Sequence, residues 1–287
     1  MKKETKSQHK NREAGMMICT GVQGVGKTYL NMHVIKDYVK DKISNKVRGR
    51  KCLILDTNGE YTLEQFEHND IPNFDPKRIA VKDIPAWSLS DNIECRRIDA
   101  KNLSLDEKLE IAKFCVRHYR NGMLVLEDIN TYILNVTHMK DIVGGLVNLR
   151  HRAVDVLISY QSLRPVEPRM WQNARWIRMH YQADNVSDIK GKVNNPTLFK
   201  IAEIIVKTRY ISGDKRFYVY IHNFQGKIEG AFTKTEFMEA CKKYLMLNKK
   251  DLKEYQTMNS CSQEEAVKAV SKHYFEQYYG NPILKKK

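Results

Sequence analysis

The run Gly21-Val22-Gln23-Gly24-Val25-Gly26-Lys27-Thr28 follows directly on the apolar stretch Met16-Met17-Ile18-Cys19 and constrains this chain more than any other feature. Gly-x4-Gly-Lys-Thr between a strand and a helix is the phosphate-binding P-loop. Its glycines let backbone N–H groups turn inward around phosphate oxygens. Lys27 is expected to reach the β/γ-phosphates, and the Thr28 hydroxyl is expected to bind Mg²⁺. The helix that follows points its positive dipole end at the same place. Residues Gly21 to Tyr29 are therefore the expected nucleotide-binding segment, with ATP and Mg²⁺ as ligands.

The rest of the chain reads as α/β. Apolar runs at 16–20, 52–55, 123–126, 154–159 and about 175–180 are continuous for the most part rather than alternating, which predicts parallel strands buried on both faces. Helical patterns lie between them, as after the P-loop, where Leu30, Val34 and Tyr38 share a face beside Ile35 and Val39. Ser104 with Glu107, Thr233 with Glu236, and Ser262 with Glu265 have the spacing of capping boxes. Residues 62–98 read as irregular, punctuated by Pro72, Pro76 and Pro85, and 196–208 as helix. A hairpin is expected from 216–222 and 228–232 across Asn223–Gly226. The expected organisation is a basic arm at 1–14, an ATPase domain at 15–246, and a polar linker with a terminal helix at 247–287.

The six cysteines are scattered without Cys-x-x-Cys spacing, and the nine histidines show no metal spacing, so free thiols in a reducing cytoplasm are expected. No run approaches the length of a transmembrane helix. The net charge of +15 points to a polyanionic partner, nucleic acid before an anionic membrane. Lysines and arginines at 42, 46, 48, 50 and 51 suggest a basic loop, and Lys285–Lys287 a basic end.

Polar groups are expected at the strand tips. The apolar run 123–126 ends in Glu127-Asp128, where an ATPase needs one carboxylate for the Mg²⁺ shell and one to polarise water. The simplest mapping gives Glu127 the metal side and makes Asp128 the base. A shifted register, with Asp128 on the metal side and Glu60 as base, stays open. Gln161 ends the run 154–159 and is placed to report on the γ-phosphate. Asp56-Thr57-Asn58-Gly59-Glu60-Tyr61 brings two further carboxylates to a strand tip. Arginines crowd the following stretch, at 150, 152, 164, 169, 175 and 178.

Four pieces in order, GVQGVGKT, LILDTNGEY, LVLEDI and LRHRAVDVLISYQSLRPVEPRMWQNARWIRMH, resemble the FtsK–HerA superfamily of ring-forming, DNA-pumping ATPases over roughly residues 15–182. The resemblance implies a RecA-like (ASCE) fold, phosphate and Mg²⁺ roles for Lys27 and Thr28, Mg²⁺ and water roles for Glu127 and Asp128, and a sensor role for Gln161. It further implies an arginine finger acting in trans at Arg152 or Arg150. The Glu-Asp order departs from the family's Asp-Glu. Without membrane anchor or added modules, the chain looks most like a viral genome-packaging ATPase. That reading implies ATP-driven translocation of double-stranded DNA by a homo-oligomeric ring of about five or six subunits, at a portal or capsid vertex in a host cytoplasm. The alternatives are a Zot-like morphogenesis ATPase, a conjugative coupling protein, a nucleotide-gated assembly factor and a P-loop kinase.

Overall fold

The computed structural model describes residues 14–41, 48–133 and 136–280, the side chains of 136–141 excepted. Residues 1–13 of the expected basic arm, Lys42 and Lys46 of the basic loop, and the lysine end lie outside these residues.

Among the described residues nine strands form one sheet: β1 (Met16–Thr20), β2 (Lys51–Asp56), β3 (Lys77–Arg78), β4 (Cys95–Asp99), β5 (Gly122–Leu126), β6 (Val154–Tyr160), β7 (Ala174–His180), β8 (Tyr218–His222) and β9 (Lys227–Gly230). Their order is β3-β4-β2-β5-β6-β1-β7-β8-β9. Pairing is parallel from β3 to β7 and antiparallel from β7 to β9. One strand, β6, stands between the P-loop strand β1 and the acid-tipped strand β5, which is the RecA-like arrangement of a P-loop NTPase. With strands about 4.8 Å apart, that insertion sets the Glu127-Asp128 tip about 10 Å sideways from the loop and leaves room for a phosphate and a water.

The described residues also form ten helices, most of them against the sheet: α1 (Lys27–Val39), α2 (Leu63–His68), α3 (Ile84–Leu89), α4 (Leu105–His118), α5 (Val136–Asn148), α6 (Pro168–Asn173), α7 (Pro196–Ile211), α8 (Lys234–Leu247), α9 (Lys249–Asn259) and α10 (Gln263–Tyr278). Strand residues alternate between two cores. Cys52, Ile54, Met123 and Val125 pack with Met32, Ile35 and Tyr38 of α1 and Phe66 of α2. Leu53, Leu55, Leu124 and Leu126 pack on the other side with residues of α4, α5, α7 and α8. Coverage of both faces is why these strands are apolar at every position. The three capping boxes form as their spacing predicts, at the starts of α4, α8 and α10.

Three expectations change. Residues 62–98 are not irregular: they hold α2, α3, β3 and β4. The sequence of β4, Cys-Arg-Arg-Ile-Asp, conceals a strand because Arg97 is buried and ion-paired with Asp56 at 3.3 Å. The polar stretch 247–261 is not an open linker but contains α9, anchored by buried Leu252 and by Tyr274 of α10 donating to Asp251 at 2.7 Å. Arg50 and Lys51 are not free loop cations. Arg50 pairs with Asp155 at 3.3 Å, and Lys51 lies buried in β2 with its ammonium donating to the Trp87 and Ser88 carbonyls. All six cysteines are free.

Candidate nucleotide site

The P-loop leaves β1 at the carboxyl edge of the sheet. Gly24 and Gly26 have φ of +81° and +86°, left-handed values that a side chain would strain. Gly26 caps α1 with no side-chain hydrogen bond, so the amino end of the helix is left for an anion. The loop is tied down by backbone bonds from Gly21 N–H to Tyr160 O at 3.2 Å and from Val22 N–H to Tyr181 O at 3.0 Å. Lys27 folds back over the loop and donates to Gly21 O at 2.7 Å and Val22 O at 2.9 Å. Burial pulls its pKa down, and the charges of Asp128, Glu127 and Glu60 oppose that shift. The charges of all three carboxylates are therefore felt at the ammonium.

Thr28 donates its hydroxyl to Glu60 Oε2 at 3.1 Å. Glu60 is placed by Asp56, whose Oδ1 accepts from Gly59 N–H at 2.8 Å and Glu60 N–H at 2.9 Å. Oδ2 of Asp56 accepts from Tyr61 N–H at 3.2 Å and Arg97 Nη1 at 3.3 Å. Asp56 is 1% exposed, so it builds the turn and faces no ligand. Asp56→Ala is expected to cost about 3–5 kcal/mol, because Arg97 is left buried beside its empty place. Chemical denaturation measures this, and the loss should exceed that of Glu60→Ala.

Glu127 continues the alternation of β5 onto the α1 face. It is 3% exposed, accepts from Asn31 Nδ2 at 2.5 Å, and accepts from the Tyr61 hydroxyl. Burial raises its pKa; the bonds from Tyr61 and Asn31 resist the shift, and the neighbouring Asp128 charge adds to it. Asp128 takes a left-handed φ of +43°, which turns it out of the strand and toward the site. There its Oδ2 accepts from Gln161 Nε2 at 3.0 Å and Asn58 Nδ2 at 3.5 Å. The tips of β2, β5 and β6 thus meet at one point.

Beneath α1 lies a polar floor that the sequence reading did not anticipate. Asn31, one turn after Lys27, also donates to Ser159 Oγ at 2.9 Å, and its Oδ1 accepts from Arg178. Arg178 is fully buried and donates to Lys27 O at 3.2 Å. Cys19 adds a thiol directed at Asn31 Oδ1, 3.6 Å away, with its pKa pushed up to about 11 by burial. Asn31 lies on the buried face of α1 with Met32, Ile35 and Tyr38, and its partners are too distant in sequence to signal this floor. Arg216, just before β8, lies against the loop, its Cγ and Cδ 3.8 Å from where a Cβ on Gly26 would stand.

The two candidate fingers lie elsewhere. Both precede β6, at the amino edge of the sheet, whereas the loop and Gln161 are at the carboxyl edge. Seven residues of strand separate the two edges by about 20 Å. Arg152 Nη1 donates to Val116 O at 3.0 Å and Arg117 O at 2.5 Å, at the end of α4. Arg150 is exposed. Two cavities of about 320 and 340 Å³ also open at this amino edge, around Gly15, Met16, Val156 and Arg175, away from the phosphate-binding chemistry.

No described helix is long and apolar enough to cross a membrane. Among the described residues no cluster of three His, Cys, Asp or Glu suits a metal on its own. No protein-family model matches the chain, and no curated protein matches it. Among solved structures it is similar to the genome packaging NTPase from Sulfolobus turreted icosahedral virus 2 in complex with AMP, at 17% identity over 76% of this chain and 96% of that one, with a TM-score of 0.48. The DNA-packaging ATPase from Sulfolobus turreted icosahedral virus is similar at 16% identity, 76% and 97% coverage and the same score of 0.48. The N-terminal domain of zonular occludens toxin from Neisseria meningitidis shares 14% identity over 58% of this chain and 76% of that one, with a TM-score of 0.31.

Proposed function

We propose that this chain is an ATPase subunit that moves double-stranded DNA from within a homo-oligomeric ring, with viral genome packaging as its setting. One observation carries the ATPase reading: at the carboxyl edge of the sheet, beside Lys27 in the P-loop, Thr28 is bonded to Glu60 and Asp128 to Gln161. Lys27 leaves the loop carbonyls to neutralise the β/γ-phosphates. Asp128 is the water-polarising base, and Gln161, which donates to it, couples the tip of β6 to that carboxylate. The oxygen donors around Thr28 fit Mg²⁺, which takes hard oxygen ligands, keeps several waters and arrives with the nucleotide phosphates. When bound, it would neutralise charge on the β- and γ-oxygens. The ring is supported by Arg150, too far from its own loop to serve it but free to serve a neighbour's.

Duplex DNA is supported by the net charge of +15. Binding is expected to weaken steeply with salt, because each neutralised phosphate releases counterion, by about 10³-fold or more between 50 and 200 mM for six or more contacts. Fluorescence anisotropy on a duplex across a salt series measures this. A flat response, or no binding at low salt, would favour the kinase reading.

A further inference from the structure

We propose that Glu60 is the carboxylate that stands beside Mg²⁺ with Thr28, and that Glu127 is a positioning residue held beneath the loop. This rests on the ATP-binding reading above and divides the roles of its acids. The hydroxyl of the P-loop Thr is the group that meets the cation, and the carboxylate already bonded to it is Glu60 Oε2, at 3.1 Å. Glu60 is half-buried and set by a built turn. Its N–H and that of Gly59 are both fixed on Asp56, and Gly59 has φ of +75° where a Cβ would come within 2.9 Å of Lys101 Cδ.

Glu127 is engaged differently. Its Oε1 takes two donors, Asn31 Nδ2 and the Tyr61 hydroxyl, at 3% exposure. Asn31 is in turn held by Ser159 and Arg178. This places Glu127 in a bonded chain from β7 through α1 to the turn after β2. Adjacent residues of that turn have separate tasks: Glu60 faces the cation, and Tyr61 fixes Glu127. The Glu-Asp order then has a physical reason. The longer side chain reaches under α1, and the shorter one, turned out by its left-handed backbone, faces the water.

The test measures the dissociation constant of a fluorescent ATP analogue on the full chain, with Mg²⁺ and with EDTA. Wild type should bind more tightly with Mg²⁺. Glu60→Gln should lower that Mg²⁺ enhancement by about 10-fold or more, the usual loss when a group around a metal is removed. Glu127→Gln should keep the enhancement. Tyr61→Phe, which removes one hydroxyl, should also keep it while kcat falls about 10-fold or more through misplacement of the site. Enhancement that survives in Glu60→Gln overturns the proposal. So does enhancement lost in Glu127→Gln, or lost in Tyr61→Phe should the first variant fail to fold. A wild-type chain that binds the analogue under neither condition refutes the ATP reading instead.

Discussion

Lys27→Ala should reduce ATP turnover by about 10³-fold or more. Removing one neutral donor from developing charge typically costs about 10²–10³ in rate, and this donor carries a full positive charge in a buried setting. The structure adds a second expectation. The ammonium is bonded to Gly21 O and Val22 O, so it also clasps the loop. Its removal leaves the Gly21 and Val22 carbonyls without that donor, which should cost about 1–3 kcal/mol of stability. A steady-state ATPase assay with thermal unfolding on the same preparation separates the two. Turnover within about tenfold of wild type would remove the assignment of this loop as the catalytic centre. Loss of turnover together with a collapsed fold would mean that Lys27 acts mainly as a structural clasp.

Arg150→Ala should bind ATP almost normally yet hydrolyse it about 10³–10⁵-fold more slowly, because a finger supplied in trans neutralises charge that exists only in the transition state. Arg152→Ala should behave differently, although the resemblance alone treats the two alike. Its guanidinium already satisfies the Val116 and Arg117 carbonyls at the end of α4. Losing those charge-assisted bonds should cost about 1–3 kcal/mol of stability and leave turnover near normal. Subunit mixing is the sharper measurement. An Arg150→Ala subunit mixed with a Lys27→Ala subunit should regain activity, since an intact loop then faces an intact finger across some interfaces. Full activity in both arginine variants would sink the shared-site ring. A lost turnover in Arg152→Ala with unchanged stability would transfer the role to that residue.

Much of this molecule is legible along the chain because its signals are local. The P-loop is a consecutive set of residues whose backbone demands are met by its own glycines, and Gly24 and Gly26 take the left-handed conformations their positions require. The capping boxes at Ser104, Thr233 and Ser262 are four-residue devices and form as spaced. Apolar runs predict the central strands because a parallel sheet covered on both faces has no polar side.

What the tertiary structure alone decided depends on partners far apart in sequence. Arg97 makes β4 look too polar for a strand, and the buried Asp56, 41 residues away, makes its burial tolerable, with Asp99 a second and more exposed carboxylate at 3.7 Å. Asn31 reads as an ordinary helix residue until Glu127, Ser159 and Arg178 come beneath it, from 96 to 147 positions along the chain. The finger candidates share a location in sequence, and only the carbonyls at the end of α4 tell them apart. Polar side chains buried in pairs carry no periodicity. A buried charge is stable only with its complement, and the complement is supplied by the fold.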